Sequence, residues 1–304
     1  MEKNIERTLG VTGQVASLRE RSVENRGVIV IPTYRTGVRL LGNLLASFRG
    51  YAKYPIILVI SDFREKDLAL FMPIVAQFRS LPIIVETIST NSFELGGLYT
   101  AYRKTEYDEF FLLPHSCEIV DTSMFDRVFV ENAGRSVALG LQRGDWNGNC
   151  HNRRDEAFVA RHLDKETNDR LLKMGQITFW QGHIGKYRRA ILDQMNLQEF
   201  LPENMIEAIS KSELLFTNTY HVLDPTTVVL FPDWVDSGNI ENKCGKRRLK
   251  ICNRYIIKWK THWTVGMVFD DMRRRELSYV AGKMGKRIAG PPFRWIKGKM
   301  SKPI

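Results

Sequence analysis

The chain has 304 residues, 43% hydrophobic and 26% charged, with 45 Lys and Arg against 34 Asp and Glu, a net charge of +11. Such a composition belongs to a globular protein long enough to bury a substantial core, and it excludes a fibrous or wholly disordered chain. No stretch approaches the roughly 18 to 20 apolar residues of a membrane-spanning helix, and the opening MEKNIERTLG lacks the apolar centre of a secretory signal.

Residues 1–26 are polar, with a short helix predicted around Val15 to Arg21, and form a lead-in. GVIVIP (27–32) is a β-branched apolar run stopped by proline, the pattern of a buried strand. Leu40, Leu41, Leu44, Leu45 and Phe48 then recur at helical spacing. PIILVI (55–60) predicts a second strand, followed by a helix carrying Leu68, Phe71, Val75 and Phe78. PIIVETI (82–88) is the third strand, and Asn91 and Ser92 offer caps for a helix reaching about Lys104. FFLL (110–113) is the fourth strand, with His115, Ser116, Cys117 and Glu118 arriving directly behind it. This alternation predicts an α/β fold whose mostly parallel central sheet is flanked by helices through right-handed crossovers.

Further on, SVALGL (136–141) predicts a short strand, and QRGDWNGNCHNRRDE a long polar loop. QITFWQGHIGKYRRAILDQM is expected to be a strand entering an amphipathic helix, residues 203–220 a further helix, and TTVVLF (226–231) a late strand. The predicted organisation is a lead-in (1–26), a catalytic-type body (27–238) and a basic, aromatic appendage (239–304).

The order of these pieces resembles a family 2-like glycosyltransferase with the A-type nucleotide-diphospho-sugar fold. The motifs are VIVIPTYR at the end of the first strand, ILVISD at the second, NSFELGGLYTAYR after the third, and FFLLPHSCEI where that family carries an Asp-x-Asp metal motif. The resemblance spans roughly residues 27–235 and rests on the order of short, degenerate motifs. It implies transfer of a sugar from a UDP- or GDP-type nucleotide-sugar to a hydroxyl of a glycan or glycolipid, with inversion, as in polysaccharide biosynthesis.

In α/β sheets of this kind, ligands sit at the carboxyl ends of the strands. Thr33, Tyr34 and Asp62 stand there as donor-binding candidates; Asp62 reads equally as a helix cap. Asn91 begins the motif after the third strand, and Gly96 either lets backbone approach a ligand or packs the helix tightly on the sheet. His115 and Ser116 replace the carboxylates that hold Mg²⁺ or Mn²⁺ in the resembled family, since hard cations prefer carboxylate oxygen. Three readings stay open: His115 is an Mn²⁺ ligand, cations from the tail replace the metal, or the site is impaired. Glu118 and Asp121 supply a carboxylate if the register slips.

An inverting transfer needs a base for the acceptor hydroxyl. Glu213 stands at the family's position for it, with Glu203 and Glu207 as alternatives. His183, Lys186 and Arg189 in GHIGKYRR suit an acceptor or a phosphate, and read equally as a solvent-facing basic turn. Lys258, Lys260 and His262 in KWKTHW are candidates to fold back over the donor diphosphate, whereas His221 reads as structural.

From Lys243 onward there are 18 Lys and Arg against three acidic residues, +15, so the preceding 242 residues carry −4. A basic end studded with Trp259, Trp263, Phe269, Tyr279, Phe293 and Trp295 suggests an anionic membrane surface as partner. Four scattered cysteines (Cys117, Cys150, Cys244 and Cys252) argue against a disulfide framework and for a reducing cytoplasm, with the enzyme peripheral at the inner face of a membrane. Two alternatives remain: a nucleic-acid-binding protein using the basic end, which no recognisable module supports, and a protein that binds a nucleotide-sugar or glycan without turnover.

Overall fold

A computed structural model describes residues 26–34, 37–61, 68–90, 92–145, 164–180, 183–203, 207–231, 249–252 and 255–259. The lead-in, Asp62, Asn91, Lys260, His262 and the chain beyond 259 lie outside the described residues.

The apolar runs become the centre of a seven-stranded sheet. Its members are β1 (Gly27–Tyr34), β2 (Ile56–Ser61), β3 (Ile83–Thr87), β4 (Glu109–Leu112), β6 (Val137–Ala138), β9 (Gly185–Arg188) and β10 (Val228–Val229), in the order β10-β6-β9-β4-β1-β2-β3. β1 pairs in parallel with both β2 and β4, and β2 with β3. Only β9 breaks the pattern, running antiparallel between β4 and β6. The expected mostly parallel α/β architecture is therefore the one present.

Successive side chains of a strand face opposite ways, so each apolar run feeds two cores. Val28 and Val30 face α3 (Phe93–Lys104), joining its Leu95, Leu98 and Ala101 and, further along the chain, Leu215 and Phe216. Ile29 and Ile31 face α1 (Val38–Ser47) and α4 (Ser123–Phe129), packing with Leu41, Leu44, Phe48, Phe125 and Phe129. Each such side chain contributes about 1.5–3 kcal/mol when fully buried. α2 (Leu68–Gln77) adds Phe71 to the second core.

Several expectations are corrected in the second half. Residues at the start of the expected polar loop form β7 (Leu141–Asp145), paired antiparallel with β8 (Gln176–Trp180). The expected strand-to-helix segment is instead two strands, β8 and β9, in different sheets. His183 turns the chain between them in a left-handed conformation (φ 59°), and only the single turn α6 (Arg189–Leu192) follows. A helix that was not expected, α5 (Lys165–Met174), has Asp164 Oδ1 accepting from the Thr167 N–H at 2.8 Å, and ends at Gly175 with φ 64°. The predicted helix over 203–220 lies at Ala208–Phe216, with π-type hydrogen bonding, and continues as α7 (Thr217–Leu223).

A three-stranded antiparallel sheet completes the described structure. β12 (Ile256–Trp259) lies between β11 (Leu249–Cys252) and β5 (Cys117–Ile119), so this part of the C-terminal region pairs directly with the body.

Candidate active site

The carboxyl ends of the central strands carry buried polar atoms with no hydrogen-bond partner among the described residues: Thr33 Oγ1 on β1, Ser61 Oγ on β2, and His115 Nε2 just beyond β4. One buried orphan of this kind costs about 1–3 kcal/mol, so three at one edge of a sheet point to a ligand.

His115 is held by Pro32, whose carbonyl accepts from the His115 backbone N–H at 3.4 Å and lies 3.2 Å from Nδ1. A carbonyl only accepts, so Nδ1 carries the proton and Nε2 keeps its lone pair. Tyr34 meets the ring edge-on at 4.7 Å, and Ser116 is buried beside it. Gly37, at the entry to α1, makes the ring's seat: a Cβ there would lie 2.6 Å from Nε2 and 3.0 Å from Thr33 Oγ1. Any side chain at 37 would displace the imidazole.

His183 is the second histidine of the site. It is buried, its backbone is left-handed, and Nε2 is also without a partner, while the Ser212 backbone hydrogen-bonds the ring. A left-handed residue other than glycine is uncommon, and Phe93 at the start of α3 is another (φ 49°). Burial pushes both imidazoles below their ordinary range. Glu94 opposes that shift at both rings and the Lys258 ammonium reinforces it at both, while Glu213 acts on His183 alone. His115, His183, Glu94, Lys258 and Glu213 thus share one electrostatic neighbourhood.

The elements explain that convergence. Glu94 lies in the first turn of α3, whose N-terminus follows the end of β3. Glu213 lies in the π-helical segment, half-buried between the buried Ser212 and Leu214. Such segments recur at functional sites. Lys258 arrives on β12, opposite Cys117.

Lys186 and Arg189 are not brought into this cluster. Lys186 is wholly buried, 2.9 Å from Glu109 Oε1, and donates to the Asn132 carbonyl at 2.8 Å. Arg189 donates to the carbonyls of Tyr107, Tyr102 and Thr105. Both are spent at the amino end of β4, and no acceptor role is carried forward for them. A Cβ on Gly96 would meet Ser92 Cβ at 2.4 Å, and one on Gly97 would meet Pro32 Cβ at 2.7 Å, so packing accounts for these glycines. Of the alternative bases, Glu207 accepts from the Glu203 N–H at 3.0 Å and lies 3.5 Å from Lys211, while Glu203 is exposed. His221 is half-exposed on α7.

The fit to a divalent cation is poor. Among the described residues no three His, Cys, Asp or Glu side chains gather to hold one. Glu118 accepts from Asn43 and Asp121 from the Ser123 N–H. His115 alone offers one nitrogen, pressed against Gly37. Glu94 is the site residue that sequence reasoning missed; a first-turn acid behind a strand was its only signal.

No family model and no curated protein matches the chain. Among solved structures it is similar to the mannosyltransferase PcManGT from Pyrobaculum calidifontis in complex with GDP-Man and Mn²⁺, at 13% identity and TM-score 0.41, covering 68% of this chain and 55% of that one. It is also similar to S. aureus TarS 1-349 in complex with UDP-GlcNAc, at 14% identity and TM-score 0.44, covering 83% and 62%. A third is core-mannan synthase A from Aspergillus fumigatus in its Mn/GDP form, at 8% identity and TM-score 0.39, covering 69% and 72%. The chain therefore spans little more than half the length of the first two. Among the described residues no helix is long and apolar enough to cross a membrane.

Proposed function

We propose that the chain is a glycosyltransferase that moves a sugar from a UDP- or GDP-type nucleotide-sugar to a hydroxyl of a glycan or glycolipid, with inversion. The observation that carries this reading is the row of unpaired buried polar atoms on Thr33, Ser61 and His115 at the strand ends, with Glu94 and Lys258 acting electrostatically on His115. Hydroxyl and imidazole groups suit the hydroxyls of a ribose or sugar, and the strand ends are where such a ligand lies in open α/β sheets. The motif positions of Asp62 and Asn91 belong to the same donor role. Glu213 takes the proton from the acceptor hydroxyl as its oxygen attacks the anomeric carbon, and the bond to the nucleoside diphosphate breaks on the opposite face.

Two measurements test this. A nucleotide or nucleotide-sugar at 100 times its dissociation constant should add about 2.7 kcal/mol to stability, read as a raised melting temperature. Glu213→Gln should lower transfer by about 10² to 10⁴ while leaving nucleotide affinity intact. Unmoved melting curves with millimolar UDP, GDP and dTDP and their sugars would sink the donor site. Normal turnover in Glu213→Gln would move the base or point to a retaining mechanism. Binding with no transfer to any acceptor would favour the second reading, a binding protein without turnover, which the replacement of carboxylates by His115 and Ser116 encourages.

A further inference from the structure

The C-terminal region contributes a charge to the candidate site. β12 runs antiparallel to β5, placing Ile256 opposite Ile119 and Lys258 opposite Cys117. Directly opposed residues share a face, and Ile256, Ile119 and Cys117 all belong to the core between the sheet and α1. Lys258 therefore points inward from the same face, and it is only 6% exposed. It enters next to the turn that bears His115 and Ser116. Its charge is felt by both His115 and His183, which come from opposite halves of the chain.

We infer that the Lys258 ammonium, delivered by β12, occupies the place of a divalent cation at the donor diphosphate, so that nucleotide binding and transfer proceed without metal. This rests on the glycosyl-transfer reading above. A leaving nucleoside diphosphate needs positive charge on its oxygens as the glycosidic bond breaks, and a fixed ammonium supplies it without reorganisation. Among the described residues no three His, Cys, Asp or Glu side chains gather to hold a metal, and a cation beside an inward-facing lysine would be repelled by it. The hydroxyl of Thr33 and the lone pair on His115 Nε2 then have ligand groups, not a metal, to satisfy. The first strands of the basic C-terminal region are in this reading part of the donor site, and removing them would remove the counter-charge.

The experiment is calorimetric titration of the full chain with UDP and GDP, each in EDTA and in Mn²⁺, together with the matching nucleoside monophosphates. The expected result is equal diphosphate binding with and without metal. Lys258→Met should weaken it about 10- to 100-fold, the range for a lost hydrogen bond to a charged group. Lys258→Arg should restore most of that loss. Monophosphate binding, which lacks the second phosphate, should change less in Lys258→Met than diphosphate binding does. Binding that requires Mn²⁺ overturns the inference and leaves the transferase reading standing, whatever the variant does. Unchanged diphosphate affinity in a folded Lys258→Met protein overturns it as well. If no nucleotide binds under either condition, the donor-site reading fails first and this inference with it.

Discussion

At the scale of single residues, the candidate site holds two buried imidazoles, those of His115 and His183. Burial lowers the proton affinity of His115 and His183, and Glu94 only partly offsets it. The unfolded chain titrates its histidines near 6.5. Below that pH it takes up protons that the folded chain refuses, so stability is complete above about 6.5 and is lost as pH falls toward the lower folded values. Each histidine can contribute a slope of up to about 1.4 kcal/mol per pH unit in that window. Urea midpoints measured from pH 7.5 to 5 should therefore fall, and His183→Gln should flatten the decline. An equally steep decline in that variant would show that another group drives it. The burial behind this effect was not legible in the sequence, whereas the placement of His115 at a strand end was, because FFLL turns polar at once. Glu94 escaped because an acid in a first helical turn is ordinary. Lys186 and Arg189 misled for the converse reason: cations beside glycines look like an anion site until their partners, Glu109 and three carbonyls, are seen across the sheet.

At the scale of elements, the antiparallel strand β9 is what joins the two halves of the sheet, and its sequence shows what that insertion requires. Gly185 passes so close to its neighbours that a Cβ would lie 2.4 Å from the Val137 carbonyl and 2.7 Å from the Trp180 ring. One residue on, Lys186 reaches Glu109 on β4 and the Asn132 carbonyl beyond α4, while Glu109 Oε1 also accepts from the Gly134 N–H at 2.7 Å. Truncating one partner of a buried pair strands the other, at about 3–5 kcal/mol. Lys186→Ala should thus lower the melting temperature by roughly 6 to 20 °C. The double change Lys186→Met with Glu109→Gln keeps an acceptor for Gly134 without a charge, and it should recover much of the loss. Equal loss in the double variant would locate the damage in packing around Phe129, over whose ring the ammonium sits at 5.6 Å. The early strands were legible because β1, β2 and β4 are apolar runs wanted on both faces by helices. β9 was not, since GHIGKYRR spells a helix start locally and becomes a strand only through β4 and β6 on either side.

At the scale of the whole molecule, the charge is divided along the chain, and the described start of the basic part pairs with the body. Strands β11 and β12, with the inward Lys258, belong to the body. Residues 260–304 carry a further 11 Lys and Arg against three acidic residues, with Trp263, Phe269, Tyr279, Phe293 and Trp295 among them. A near-neutral body followed by a basic, aromatic end fits attachment to an anionic surface, where each Lys or Arg is worth roughly 1 kcal/mol and aromatic rings favour the headgroup level. Ending the chain after Gly266 keeps KWKTHW and both strands of the body, so the protein should stay folded and keep its nucleotide affinity. It should lose binding to vesicles containing phosphatidylglycerol, while the full chain binds them at low salt and loosens as salt rises, because screening contracts to about 8 Å at physiological ionic strength. Sedimentation with phosphatidylglycerol and with phosphatidylcholine vesicles separates charge from general stickiness. Equal vesicle binding by the shortened chain would place the surface on the body. Tighter binding to RNA than to vesicles at matched salt would transfer the basic end to nucleic acid, and with it the cellular partner of the protein.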